Sequence, residues 1–391
     1  MKKKIIIAVN STFNLVNHRA GLINGLLDEG YEVVALSPTD EFASRLKELG
    51  CRHVPLQMER KGTNIVRDLQ LFWRYRLLLK QHMPDIFLGF TVKPNIYGSL
   101  AAQSLGIPVI NNISGLGAVF GAMSTSIMGK ALSRLVRVLY WFALLRSDKI
   151  FFQNEDDRRE FIEQGVVKGH LTDRLPGSGV DLNRFAYTPI VASDFSSKNS
   201  NKRKKTRFLL IARLLWDKGV GEYVEAARLL SPRYPCAEFC LLGFLDFENP
   251  EAISEAQINE WIAEGMVRYL GVKNDVYSEI VKADCVVLPS LFREGVPRSL
   301  LESAAVGRPI ITTDSVGCRD TVDDEVNGYL CIPGDSIDLS EKMERILQLN
   351  DAQRAEMGRC GREKMELQFD EQIVIQKYLE AIEPNQSKSH L

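Results

Sequence analysis

No apolar run in this 391-residue chain is long enough to cross a bilayer, which takes about 20 residues. The longest, Leu135 to Leu145, is interrupted by Arg137. At the N-terminus only Ile5 to Val9 is continuously apolar after Lys2, Lys3 and Lys4, too short for a secretory signal. There is also no excess of either charge. A net charge of −1 argues against a protein devoted to nucleic acid, which would carry a basic surplus. Cysteine is present but without framework. The seven cysteines are scattered and odd in number, and Cys236 and Cys240 have no second pair or nearby histidine to complete a zinc site. They read as reduced residues of a cytoplasmic protein.

What is present is average globular composition, 45% hydrophobic and 25% charged, at a length that calls for two domains. Short apolar runs alternate with amphipathic stretches. Ile5 to Val9, Val33 to Leu36, Ile86 to Leu88, Val109 to Ile110 and Ile150 to Phe152 read as strands of parallel β-α-β units. A first helix is expected from near Asn17 through Leu22, Leu26 and Leu27, stopped by Gly30. The opening unit lacks a G-x-G-x-x-G turn, so a simple dinucleotide-binding reading loses its main support. Around Pro176 to Lys205 a Gly-, Ser- and Lys-rich stretch replaces the periodic pattern. A second series follows with Phe208 to Ile211, Phe239 to Leu242, Val267 to Leu270, Cys285 to Leu288, Pro309 to Ile311 and Tyr329 to Ile332. We therefore expect an α/β protein of two doubly wound, Rossmann-like domains facing across a cleft. The domains are 1–178 and 206–368, with a linker at 179–205 and a terminal helix in 369–391 that packs back on the first domain.

The segment EGVPRSLLE, Glu294 to Glu302, directly follows a strand and loop. Pro297 suits the first helical position, and the amides of Gly295, Val296, Arg298 and Ser299 would surround the positive end of a helix, where anions bind. Glu302 can accept two hydrogen bonds from a ribose diol. The alternative is two solvent-facing glutamates on a well-started helix. Arg213 and Lys218, in IARLLWDKG, also follow a strand of the same sheet, and a guanidinium with an ammonium can neutralise a diphosphate. Their alternative is an ordinary surface pair.

Several of these segments together resemble the glycosyltransferase family 4 group of GT-B enzymes. They are LPGSGVDLNRF at 175–185, IARLLWDKG at 211–219, the Glu294 and Glu302 pair, and TDSVGCRDTVDDEVNGYLCIPGD at 313–335. KPNIYGSLAA at 93–102, ISGLGAVF at 113–120 and FQNEDDRREF at 152–161 extend the likeness over the first domain. The resemblance implies a retaining hexosyltransferase with a UDP-sugar donor on the second domain. Arg213 and Lys218 would meet its diphosphate, Glu302 its ribose and Glu294 the donor sugar. It is nearest the branch that adds N-acetylhexosamines or related sugars to polyprenyl-diphosphate-linked glycans, as in surface polysaccharide assembly.

The loop at Gly271, in YLGVKNDV, is similar to the family's nucleobase-contacting loop and is expected one strand from Glu294. In the first domain His18, at the expected helix start, is a candidate beside acceptor or donor sugar, the alternative being a structural histidine. A histidine that some relatives carry between positions 90 and 95 is missing here, which leaves the general base unassigned. Lys93 and Asn95 are the polar candidates in its place, and Gly115 and Gly117 permit close backbone approach to a ligand. The Asp-any-Asp metal motif of the other major glycosyltransferase fold has no convincing placement, so no metal or other cofactor is expected. Basic and aromatic residues mix in Arg67 to Lys80 and Lys130 to Lys149, which read either as membrane-surface helices on anionic lipid or as interior helices with charged edges. Two other functions stay open: a nucleotide-sugar epimerase of GT-B fold, and a non-catalytic UDP-sugar-binding partner subunit.

Overall fold

The computed structural model describes residues 2–59, 64–115, 127–191, 205–246, 249 and 251–383. The chain forms two compact units, one from Met1–Gly179 with Glu371–Leu391 and the other from Val180–Asp370. Each is built on a parallel sheet. The first sheet contains β1 (Lys4–Ala8), β2 (Glu32–Ser37), β3 (Arg52–Pro55), β4 (Ile86–Phe90), β5 (Val109–Ile113), β6 (Lys149–Phe152) and β7 (Thr172–Arg174), in the order β3-β2-β1-β4-β5-β6-β7. The second contains β8 (Thr206–Ile211), β9 (Ala237–Leu242), β10 (Arg268–Tyr269), β11 (Cys285–Leu288), β12 (Ile310–Thr313) and β13 (Gly328–Cys331), in the order β10-β9-β8-β11-β12-β13.

The inner strands are continuous apolar runs because helices cover both faces. In β4 and β11 every residue is buried, the pattern a parallel sheet demands. The edge strands β3 and β7, RHVP and TDR, are polar and escape a hydrophobicity reading. The first helix also departs from expectation. It is two helices, Thr12–His18 and Ala20–Asp28, which meet at Arg19 with φ −134° and ψ 6°. Arg19 is buried with its guanidinium 4.7 Å from the Phe90 ring centre, a tertiary contact that local periodicity does not encode.

The helix Glu371–Ile382 packs on the first sheet. Tyr378 lies against Phe151 and Phe90, and its hydroxyl accepts a hydrogen bond from Asn112 Nδ2 at 2.8 Å. A Cβ at Gly25 would sit 2.6 Å from Ile375, so glycine there lets the two helices approach. Not all of the stretch expected as linker is linker. Val180 and Phe185 are buried in the core of the second unit with Leu300, Met365 and Phe369, and Thr188 O accepts from the buried Arg308 guanidinium at 2.8 Å.

Candidate active site

Strand order in the second sheet reverses between β8 and β11. Loops leaving two such strands diverge in opposite directions, opening a crevice beyond their carboxyl ends. After β8 the chain passes through Arg213 into a 3₁₀ turn, Trp216–Lys218, and then Gly219 at φ 73°, which begins the helix Val220–Leu230. A Cβ on Gly219 would lie 1.9 Å from Pro289 O, so only glycine lets this loop press against the loop after β11. The two loops are tied together there. Leu291 N donates to Asp217 O at 2.9 Å, and Ser290 Oγ lies 3.3 Å from the same oxygen.

This contact delivers Lys218 to Glu294. The Lys218 ammonium donates to Glu294 Oε1, and Ser290 Oγ donates to the same oxygen at 2.8 Å. Both charged side chains are largely withdrawn from water, at 16% and 18% exposure. Burial by itself would raise the Glu294 carboxyl, but Lys218, Ser290 and the more distant Arg213 outweigh it and hold it below its ordinary value. Asp217 goes the other way. Burial raises it, Lys218 opposes, Glu294 adds to the rise, and Oδ1 is buried without a hydrogen-bond partner among the described residues. The Glu294 loop is braced further: its N–H donates to Val316 O at 3.0 Å, and Thr313 Oγ1 donates to Ser290 O at 2.7 Å.

The helix after this loop runs Arg298–Val306, with Pro297 one residue earlier than expected, as its cap at ψ 118°. Leu300 N and Leu301 N donate to Pro297 O, so the amides of Arg298 and Ser299 precede the helical ladder. Gly295 closes against Gly317, while the Val296 side chain is buried in the core rather than turned to a ligand. Arg298 Nη2 lies 2.9 Å from Glu302 Oε1, one turn along. Glu302 is 14% exposed, and burial raises its carboxyl against the pull of Arg298 and Arg184. The solvent-facing alternative for the two glutamates and the surface alternative for Lys218 are thereby overturned. Arg213 differs, being 44% exposed and paired with Asp246 at 3.2 Å.

The remaining expected residues are less well gathered. Gly271 follows β10, so β9 and β8 separate its strand from β11, rather than none as expected. Its carbonyl accepts from Gly243 N at 3.0 Å. In the first unit His18 ends a helix instead of starting one, in edge contact with Phe13. Lys93 is paired with Asp68 at 2.7 Å, beside a cavity of about 270 Å³ that Glu59, Arg67 and Arg74 also line. Asn95 is excluded as a ligand contact. It is fully buried, its Nδ2 bonded to Asn112 O at 2.8 Å and its Oδ1 to Asn111 at 2.9 Å. Gly115 has φ 109°, and Gly117 lies outside the described residues. Ser290 and Asp217 were missed, although Asp217 sits in IARLLWDKG and Ser290 in the loop just before Glu294, because a serine or aspartate in a loop carries no spacing signal. Among the described residues no group of three or more His, Cys, Asp or Glu could hold a metal ion, and no helix is long and apolar enough to cross a membrane.

Residues 192–364 match the family described as glycosyl transferases group 1, and residues 16–172 match the glycosyl transferase 4-like domain. The chain is 30% identical over 369 residues to the N,N'-diacetylbacillosaminyl-diphospho-undecaprenol alpha-1,3-N-acetylgalactosaminyltransferase of Campylobacter jejuni, covering 94% of each chain. It is 25% identical over 276 residues to the UDP-Gal:alpha-D-GlcNAc-diphosphoundecaprenol alpha-1,3-galactosyltransferase of Escherichia coli, covering 69% of this chain and 68% of that one. In fold it is similar to Anabaena HepE, solved in complex with UDP-glucose, with a TM-score of 0.77 at 19% identity over 97% of this chain and 99% of that one. Two parallel-sheet units of GT-B type, both family matches and a full-length relative agree, and the chain belongs to the glycosyltransferase family and is a hexosyltransferase.

Proposed function

We propose that the protein transfers an N-acetylhexosamine or related sugar from a UDP-sugar, with retention of configuration, to a glycan carried on polyprenyl diphosphate. The observation that carries the donor assignment is the Lys218–Glu294 pair at the strand-order reversal, with the start of the Arg298–Val306 helix beside it. An ammonium has three donors, so Lys218 can hold Glu294 with one and a donor phosphate with another. Arg213, more exposed, supplies a second cation, and the first-turn amides of Arg298 and Ser299 a third source of positive potential. Together they stabilise the negative charge that grows on the diphosphate as its bond to the sugar breaks. Glu302 receives the ribose hydroxyls and Glu294 orients those of the sugar.

No protein nucleophile is assigned. The acceptor hydroxyl attacks the anomeric carbon on the face the diphosphate leaves, and its proton passes to a leaving phosphate oxygen. With this cationic set no divalent ion is required. The acceptor part of the reading is supported by the two relatives, whose names specify diphosphoundecaprenol substrates. Since a polyprenyl chain resides in a bilayer, catalysis then takes place at the inner face of the cell membrane.

The test is a screen of UDP-sugars with a polyprenyl-diphosphate-linked glycan, scored by product mass and by the anomeric configuration in NMR. One UDP-sugar giving a product of retained configuration is expected. Turnover only with a different nucleotide, or an inverted product, would overturn the reading.

A further inference from the structure

We propose that Thr91, directly after β4, binds a sugar hydroxyl and so fixes the position of a substrate on the first unit. The inference deepens the transferase reading and rests on it for the class of ligand. In the first sheet strand order reverses between β1 and β4, so the chain leaves these two neighbours in opposite directions, as it does at the crevice of the second unit. The register pairs Ala8 of β1 with Gly89 of β4, and Phe90 with Asn112 of β5, which sets three strand ends side by side.

The backbone at this point is strained. Thr91 has φ 64°, in the left-handed region, where a side chain branched at Cβ is disfavoured. The other non-glycine residues at positive φ among the described ones, Met83 and Glu325, are unbranched at Cβ, and Met83 caps a helix, a usual place for that geometry. Surrounding bonds hold Thr91 where it is. Its carbonyl accepts from Asn95 N at 3.0 Å, and the Asn95 side chain is locked between Asn111 and Asn112. Lys93 is fixed by Asp68, and the chain continues into a π-helical turn, Pro94–Gly98, a geometry met often at functional sites. A turn with no other duty would carry glycine at position 91 and avoid the strain. Strain that the surroundings impose on one residue points to a position kept for what its side chain does.

That side chain has no partner of its own. Thr91 Oγ1 is buried without a hydrogen bond among the described residues, which costs stability as well. Setting guanidinium nitrogens aside, the other such atoms described in the first unit are Asn14 Oδ1, on the helix that follows β1, and Asn112 Oδ1, on β5. All three are oxygens at the carboxyl ends of adjacent strands. Asn112 is interior, whereas Thr91 and Asn14 are partly exposed. An amide oxygen and a hydroxyl suit a sugar, whose O–H groups both donate and accept, better than a phosphate, which offers acceptors alone. A hydroxyl without a partner can turn about χ1 toward such a ligand and break no bond in doing so.

Thr91→Val keeps the shape and the strain and removes only the hydroxyl. Because that hydroxyl is unpaired, the variant should unfold in urea at or above the parent's midpoint. Its kcat/KM should nevertheless fall about tenfold or more, since a substrate hydroxyl would face a methyl group. Thr91→Gly relieves the backbone too and should be impaired to a similar degree, while Thr91→Ser should recover most of the loss. Slow hydrolysis of the nucleotide-sugar without acceptor separates the two sources of the hydroxyl. A matching loss there assigns it to the donor sugar, and a loss in transfer alone assigns it to the acceptor glycan. A Thr91→Val protein that transfers as fast as the parent, or one that loses stability and activity together, overturns the proposal. The variants are compared with whichever nucleotide-sugar the parent uses, so turnover with a nucleotide other than UDP removes the donor assignment above and leaves the Thr91 result to stand or fall by itself.

Discussion

Removing the Lys218 side chain should do two separable things. Glu294 would stay in its shielded position, keeping Ser290 Oγ at 2.8 Å but losing the Lys218 ammonium. Breaking a buried pair from one side costs about 3–5 kcal/mol, because the remaining charge is left without compensation. In the parent, Glu294 is held below its ordinary value, so it stabilises the fold above its unfolded pKa, and that stability is lost as pH falls through the folded value. In Lys218→Ala burial dominates and the folded value rises above the unfolded one. The deficit should then be largest at neutral pH and shrink as the pH is lowered from there into the carboxylate range, where the carboxyl takes up a proton. The assay is urea unfolding of parent, Lys218→Ala, Glu294→Gln and the double variant across that range. The double variant should recover most of the lost stability, since no charge is stranded. Donor turnover should not recover. Loss of the cation costs about 10²-fold or more in kcat/KM, and pairing the loss with Glu294→Gln leaves that deficit in place. A Lys218→Ala protein of parental stability at pH 7, or one whose deficit does not change with pH, refutes the electrostatic account.

Glu302→Ala removes the carboxylate assigned to the ribose and leaves Arg298 without it. UDP should bind about ten- to a hundredfold more weakly by calorimetry, the worth of hydrogen bonds to a charged group, with a smaller effect on kcat. Gly219→Ala and Gly271→Ala share a positive φ, 73° and 71°, but only the first brings Cβ against Pro289 O, the second meeting nothing within 4 Å. Gly271→Ala should therefore cost about 1–2 kcal/mol in urea melts, and Gly219→Ala clearly more, together with donor binding, because the two loops must part. Equal costs would show that the loop contact does not matter. Turnover should survive excess EDTA undiminished; restoration of lost activity by added Mg²⁺ would show that the cationic side chains are not sufficient.

Much of the architecture could be read from residues 285–288 and their counterparts. A strand buried on both faces must be an uninterrupted apolar run, and helices between such runs force parallel sheets. The same logic fails at Arg52–Pro55 and Thr172–Arg174, where strands sit at sheet edges and need no apolar pattern. It fails again at Arg19, whose place over Phe90 breaks a helix that local spacing would have continued.

The chain's own chemistry determined that Lys218 and Glu294 follow strands and Glu302 lies on a helix in an α/β fold, and that a family likeness spans both units. Which of them meet was decided by the order of the strands. Lys218 and Glu294 are 76 residues apart and touch because β8 and β11 are neighbours, while Gly271 stands apart because β9 and β8 intervene. Asn95, polar and well placed in sequence, is consumed by Asn111 and Asn112 in the interior. Hydrophobic periodicity reports what one segment buries, but ion pairs and buried hydrogen bonds depend on segments brought together by the sheet, and only the folded chain contains that information.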